Sequence, residues 1–278
     1  YVISNGVNTK YYANNRLNAL SYKQTFFWSD EANQKIADLT EFANAFFNPS
    51  HLSKMLCNYI VLAETDKVLM VLRPYQYYAT ESIIKQVQNS TENGYIWETT
   101  GSGKTLTSFK TSQILLKSPE VHKVVFVVDR RDLDYQTTKE FNSFSDGSVD
   151  GTDNTKALVE QFGDDTKLLV TTIQKLNNAI SNQRYASVME QLQDKRIVFI
   201  FDECHRSPFG ETHKRIKKYF NNNQMFGFTG TPIFADNAVG NTTTKTLFGE
   251  CLHKYVITDA IRAENVLKFA IEYVGQYA

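Results

Sequence analysis

The chain has 278 residues, 42% of them hydrophobic and 22% charged, and its 30 basic and 30 acidic side chains leave no formal net charge. That length suffices for one full α/β core with a smaller unit attached, and the neutral balance excludes a bulk electrostatic signature of nucleic-acid binding. No apolar run approaches the roughly 18 residues of a membrane span and no signal-peptide pattern opens the chain, so a soluble, cytoplasmic protein with no membrane partner is expected.

Residues 1–27, rich in Tyr, Asn and Phe, read as one or two strands with a turn at Asn5-Gly6. Their abrupt opening, without an initiator Met, leads us to expect a start inside a larger polypeptide. From Ser29 to about Leu62 the apolar residues Ile36, Leu39, Ala43 and Phe46 recur at helical spacing. Asn48-Pro49 then offers a cap and a first-turn proline for a second helix carrying Leu52, Met55, Leu56 and Tyr59. The expectation is a helical connector. A polar, turn-rich loop runs from Ser143 to Thr155.

From Arg73 onward strands and helices alternate in the rhythm of an α/β parallel sheet covered on both faces. Apolar runs at 95–97, 124–128, 168–172, 197–201 and 225–228 are its expected strands. Open parallel sheets bind ligands beyond the carboxyl ends of their strands, so functional residues are sought there. After the first run, Glu98-Thr99-Thr100-Gly101-Ser102-Gly103-Lys104-Thr105 forms a glycine turn whose backbone N–H groups can cradle phosphates. Lys104 can reach the β/γ-phosphates, Thr105 can bind Mg²⁺, and a helix opening there turns its positive end toward the anion. The strict pattern begins with Gly, and this chain has Glu98 in that place. After the fourth run, Asp202 is placed to hold Mg²⁺ through its water shell and Glu203 to polarise an attacking water. Cys57, Cys204 and Cys251 are far apart and odd in number, which argues against a disulfide framework. Cys204, His205 and His213 lack the paired spacing of a zinc site.

Six runs now carry a resemblance: Leu72-Arg73-Pro74-Tyr75-Gln76, Glu98 to Thr105, Asp129-Arg130-Arg131-Asp132-Leu133-Asp134-Tyr135-Gln136, Thr171-Thr172-Ile173-Gln174-Lys175-Leu176, Asp202 to His205, and Gly227-Phe228-Thr229-Gly230-Thr231-Pro232. In this order they resemble the first motor domain of superfamily 2 helicases over roughly residues 70–260. Within that superfamily the wording is similar to the restriction (motor) subunit of type I restriction-modification enzymes. Ser4 to Tyr11 resembles the stretch after that family's nuclease core, and Tyr255 to Ile261 the exit from its first motor lobe. The resemblance implies a RecA-like fold preceded by a small strand/helix segment. Residues 1–27 would be the tail of a nuclease-type domain, 28–70 a helical connector, 71–260 the first motor domain and 261–278 an exit toward a second lobe.

The same resemblance implies ATP and Mg²⁺ as cofactors, with Thr100, Gly101, Ser102, Gly103, Lys104 and Thr105 around the phosphates. Gln76, whose carboxamide donates and accepts at once, would read the adenine edge, with Arg73 and Pro74 shaping its pocket. Lys104, Asp202 and Glu203 would carry the hydrolysis, with His205 relaying the state of the γ-phosphate. Arg131, Gln136, Thr171, Thr172 and Gln174 are implied contacts to a duplex DNA backbone, which position a protein without reading sequence. Thr229 and Thr231 would couple the nucleotide site to the DNA track. Implied partners are specificity and methylation subunits, a second motor lobe supplying arginine fingers, and a nuclease domain of the same polypeptide. Arg262, the one late arginine near a substitute position, is expected to be a solvated charge on an exit helix. No Glu-x-Lys occurs in the chain, and its Asp-x-Lys, Asp165-Thr166-Lys167, opens a strand of the motor fold, so these residues are not expected to cut DNA. Two other readings stay open: another superfamily 2 helicase or translocase, from repair or a different restriction system, and a binding module whose ATP site only switches shape.

Overall fold

The computed structural model describes residues 1–13, 25–63, 67–129, 137–142, 154–202, 204, 209–238 and 242–266. Its first strands, β1 (Val2–Ser4) and β2 (Thr9–Tyr11), pair antiparallel. Between them Gly6 takes a φ of +92°, and Asn5 Oδ1 accepts the amides of Val7 and Asn8, which is the turn expected at Asn5-Gly6. Next come β3 (Trp28–Ser29) and β4 (Lys35–Ile36), also antiparallel. Ile36 therefore lies in a strand and not on the helix its spacing suggested. The reason is local: Asp30 Oδ1 accepts the Gln34 amide to close a turn, and Asp38 Oδ1 accepts from Thr40 and Glu41, which fixes the helix start after it.

Helix α1 (Leu39–Phe46) is followed by α2 (Pro49–Asn58), which has the Asn48 cap and first-turn Pro49 foreseen in the sequence. The connector then departs from an all-helical reading. Ile60–Ala63 and Val68–Val71 form an antiparallel hairpin, β5 and β6. Alternate residues of β5, Val61 and Ala63, are buried while Leu62 is exposed, a two-residue period that a helix cannot satisfy.

Beyond the hairpin come α3 (Pro74–Asn89), β7 (Gly94–Glu98), α4 (Lys104–Leu115), β8 (Lys123–Val128), β9 (Leu168–Thr172), β10 (Ile197–Phe201), β11 (Asn223–Thr229) and β12 (Glu250–Tyr255). The six strands from β7 onward make one sheet in the order β12-β7-β11-β10-β8-β9, and every adjacent pair is parallel. Five of these strands coincide with the apolar runs of the sequence. The sixth, β12, escaped notice because Glu250, His253 and Lys254 interrupt its apolar character at the sheet edge.

Both faces of the sheet are covered, which is why its strands read as continuous Val, Ile and Phe runs. Along β10, Ile197, Phe199 and Phe201 join Leu158, Phe162, Leu176 and Phe220 on one face. Val198 and Ile200 join Ile83, Phe109, Phe126 and Phe226 on the other. Each such side chain contributes roughly 1.5–3 kcal/mol of transfer free energy on burial, so the sheet is the rigid frame of the molecule. A third core, made of Tyr11, Trp28, Phe42, Phe46, Met55, Tyr59, Leu72 and Tyr77, packs the N-terminal strands and connector against α3.

Candidate nucleotide site

The carboxyl ends of β7, β11 and β10 lie side by side, with Trp97 opposite Thr229 and Phe201 opposite Gly227. The turn leaving β7 has the backbone its glycines permit: Gly101 and Gly103 adopt φ values of +80° and +89°, and Gly103 is the N-cap of α4. Ser102 Oγ donates to Thr99 O at 2.6 Å, closing the turn from within. Thr100, Gly101 and Gly103 are exposed, and Lys104 and Thr105 are half-buried at the start of α4. A loop of this shape, open on top and backed by a helix N-terminus, is an anion cradle.

Glu98, at the base of this loop, is fully buried. Thr107 Oγ1 donates to its Oε1 at 3.4 Å, and Oε2 has no hydrogen-bond partner. Burial pushes its carboxyl up to about 7, against the opposing pull of the Ser102 hydroxyl and the Lys104 ammonium. In place of the glycine that usually opens the pattern, the chain thus keeps a carboxyl under its phosphate loop.

Gln76 lies in the first turn of α3, 4% exposed, beneath the loop. Its Oε1 accepts the Arg73 amide at 3.0 Å, and its Nε2 donates to Ser102 O and Gly103 O at 3.2 and 3.4 Å. A Cβ on Gly103 would stand 2.8 Å from that Nε2, the end of a flexible side chain, so it is the φ of +89° that favours glycine here. Beside it a cavity of about 340 Å³ is lined by Gln76, Arg73, Gly101, Phe26, Met70 and Leu106 among others. Its apolar wall comes from the β6 strand and the N-terminal segment, which the sequence had given no part in ligand binding. Arg73 lies over the Phe26 ring at 4.7 Å and donates to Asn265 Oδ1 at 2.7 Å.

Asp202 is half-buried at the end of β10, and its amide donates to Val127 O at 3.1 Å. The next described residue, Cys204, donates its amide to Phe228 O at 3.1 Å, and its thiol stands 2.6 Å from where a Gly227 Cβ would be. The turn after β11 meets the phosphate loop directly. A Cβ on Gly230 would sit 3.2 Å from Thr100 Oγ1, Trp97 Nε1 donates to Gly230 O at 3.2 Å, and Thr229 Oγ1 accepts the Thr231 amide at 3.1 Å. Thr229 is buried and Thr231 exposed.

Glu203, His205, Arg131 and Gln136 lie outside the described residues. Of the other expected DNA contacts, Thr171 and Thr172 are both buried, and Thr172 Oγ1 accepts the Lys175 amide as the cap of the helix Ile173–Ser181. Gln174 is exposed on that helix. Asp165 and Lys167 are exposed before β9, at the amino end of the sheet and away from the phosphate loop. Arg262 ends the helix Ile257–Arg262 as an exposed partner of Asp259 at 3.4 Å, the solvated charge expected of it. Among the described residues no three His, Cys, Asp or Glu side chains converge as a metal cluster, and no helix is long and apolar enough to cross a membrane. What sequence reasoning missed here is the tyrosine beside Gln76: Tyr75 OH donates to Ser102 O at 2.6 Å. The signal was its place in the same first turn of α3.

A six-stranded RecA-like sheet with a lysine-bearing glycine loop at one strand end and an aspartate at another defines a motor-type ATPase, and residues 75–278 match the SWI2/SNF2 ATPase family. A type I restriction enzyme endonuclease subunit of Staphylococcus saprophyticus is 50% identical over 278 residues, covering 99% of this chain and 30% of that relative. The C-terminal part of such a subunit from Mycoplasma pneumoniae is 44% identical over 206 residues, covering 69% of this chain and 99% of the relative. The chain belongs to the type I restriction enzyme endonuclease subunits and carries their ATPase motor domain. It spans about 30% of the length of the staphylococcal relatives. Among solved structures, a nuclease-deletion mutant of the Type ISP restriction-modification enzyme LlaGI, in complex with a DNA substrate mimic, superposes with a TM-score of 0.53 at 20% identity, covering 69% of this chain and 20% of that one. The UvsW helicase of bacteriophage T4 gives 0.50 at 15% identity, covering 85% and 81%. At such identities the likeness is one of fold.

Proposed function

We propose that this domain binds Mg-ATP at the carboxyl edge of the sheet and uses its hydrolysis to move duplex DNA past a larger restriction complex. The observation that carries this reading is the loop from Thr99 to Thr105, cradle-shaped and helix-backed, at the same edge of the sheet as Asp202, which ends the strand one beyond β11. Phosphates rest on the N–H groups of the loop and are neutralised by Lys104. Thr105 and Asp202 offer one hydroxyl and one carboxylate, hard oxygen donors that suit Mg²⁺, which keeps most of its waters and takes the rest of its shell from phosphate. Bound there, the ion would neutralise phosphate charge, and Glu203 would orient the attacking water.

The base enters the 340 Å³ cavity. Gln76 Oε1 accepts only the Arg73 amide, so a lone pair remains as an acceptor for adenine, while Nε2 is directed to the loop carbonyls. Thr229 and Thr231, in the turn packed against Thr100, couple the loop to DNA held near Gln174, Arg131 and Gln136. Specificity and methylation subunits place the motor on its site, a second lobe closes the cleft with arginines, and a separate nuclease domain cuts.

Titration of the chain with Mg-ATP by calorimetry tests the site. Lys104→Ala should weaken binding at least tenfold, and unchanged affinity would remove the phosphate assignment. Steady-state ATPase with and without linear duplex DNA then tests the split cleft. The chain alone should turn over roughly 10³-fold or more slowly than the full protein assembled with its partners, the scale that arginine fingers contribute elsewhere. Equal DNA-stimulated rates would mean that one lobe is complete.

A further inference from the structure

We propose that Tyr75 and Tyr255 are positioning residues of the ATPase: together they hold the Ser102–Gly103 peptide so that its N–H faces the phosphates, and they tie that orientation to the segment that leaves the sheet. The inference rests on the nucleotide reading above and adds to it a control of the loop.

A trans peptide is planar and its C=O and N–H point in opposite directions. The Ser102 carbonyl is drawn down into the fold by two donors, Tyr75 OH at 2.6 Å and Gln76 Nε2 at 3.2 Å. The Gly103 N–H is thereby directed the other way, toward the open side of the loop. Gly103, at φ +89°, sits where a peptide flip is sterically accessible, so the orientation needs a holder. Tyr75 is itself held by Tyr255: the two rings stack with centroids 3.7 Å apart and planes within 8°, both nearly fully buried.

Tyr255 grips the loop a second time. Its carbonyl accepts the Thr99 amide at 2.9 Å, at the other shoulder of the turn. Its hydroxyl accepts from Asn265 Nδ2 at 2.6 Å, and Asn265 Oδ1 in turn accepts from Arg73 at 2.7 Å. The chain of contacts Arg73, Asn265, Tyr255, Tyr75, Ser102 therefore joins the first turn of α3, the phosphate loop and the residues after the helix Ile257–Arg262. Displacement of Asn265 withdraws a donor from Tyr255 and loosens the stack, and the loop carbonyl follows.

The test compares wild type, Tyr75→Phe and Tyr255→Phe in the full protein. Tyr75→Phe keeps the ring stack and loses the bond to Ser102 O together with the hydroxyl's contact to Arg73; Tyr255→Phe keeps the stack and loses the Asn265 bond. Affinities for ADP by calorimetry, and for adenosine by competition against a fluorescent nucleotide, separate the phosphate loop from the base cavity. Tyr75→Phe should bind ADP about five- to tenfold more weakly, with adenosine unchanged, and raise the KM for ATP by a similar factor with kcat within about twofold. Tyr255→Phe should show the same pattern, smaller. Equal losses for adenosine and ADP would reveal general loosening and overturn the positioning role, as would unchanged ADP affinity in Tyr75→Phe. Failure of the wild type to bind either ligand would instead overturn the nucleotide reading, and this inference with it.

Discussion

Two cores of the molecule, one on a face of the sheet and one at the connector, are made of different material. Under the sheet they are branched aliphatic side chains and phenylalanines with no polar atoms to satisfy, such as Val125, Val127, Ile197 and Phe199. Against the connector they are large aromatics, several with a polar tip. Trp28 packs edge-on to Tyr11, Phe46 and His51, Tyr11 OH donates to Leu72 O at 2.8 Å, and Tyr59 OH donates to Glu81. The difference teaches that the two regions achieve order by separate routes. The sheet needs only hydrophobic volume in the right period, whereas the connector needs each tip matched to a partner brought from far along the chain.

The strongest way to break this comparison is to empty both cores. Phe199→Ala and Trp28→Ala should each cost about 3–5 kcal/mol, since each removes a large, fully buried aromatic. Calorimetric unfolding should show one transition for both variants, because the connector core shares Leu72 and Tyr77 with the approach and first turn of α3. Two separated transitions in Trp28→Ala would show that the connector is an independent unit.

A second test sharpens the contrast at its exception, the one carboxyl buried under the sheet's phosphate loop. Glu98 keeps its proton to about pH 7 when folded, against an ordinary value of 4.5, so the folded chain binds more protons than the unfolded one between those values. Stability should therefore fall as pH rises from about 4.5 to about 7 and stay lower above, by at most about 3 kcal/mol from this group. Glu98→Gln should flatten that slope and be the more stable protein at pH 8 in urea unfolding. Parallel pH profiles for the two proteins would sink the assignment.

The smallest effect belongs to the connector's edge. Lys54 and Glu81 pair at 2.8 Å, but the lysine side chain is 46% exposed. Lys54→Met should cost under about 1 kcal/mol in the same assay, and less in high salt. A loss as large as that of Trp28→Ala would mean that charge, and not aromatic packing, holds the connector.

These contrasts also explain what the sequence disclosed. The five strands β7 to β11 were legible because burial on both faces leaves an unbroken apolar run, and the phosphate loop because only glycine supports its backbone at 101 and 103. The Asn48-Pro49 helix start and the Asn5-Gly6 turn were legible for the same reason: their chemistry is local. Strand β12 was hidden by Glu250, His253 and Lys254, which break its apolar run, and the β5–β6 hairpin by a period too short to outvote the helices before it. Tyr75, Tyr255 and Asn265 were invisible as a group, because a stack across 180 positions leaves no periodic trace.

The similarity to SWI2/SNF2 ATPases starts at residue 75, one position into α3. Excising a minimal motor at that point would discard Trp28, Phe46 and Tyr59 and leave Tyr77, Leu106 and Ile114, which pack against them, facing water. The wall of the nucleotide cavity contributed by Phe26 and Met70 would be lost with the discarded segment. A truncation that respects the fold keeps everything from the first strand onward, so what looks like a leader to the ATPase has to be expressed with it for the product to stay in solution.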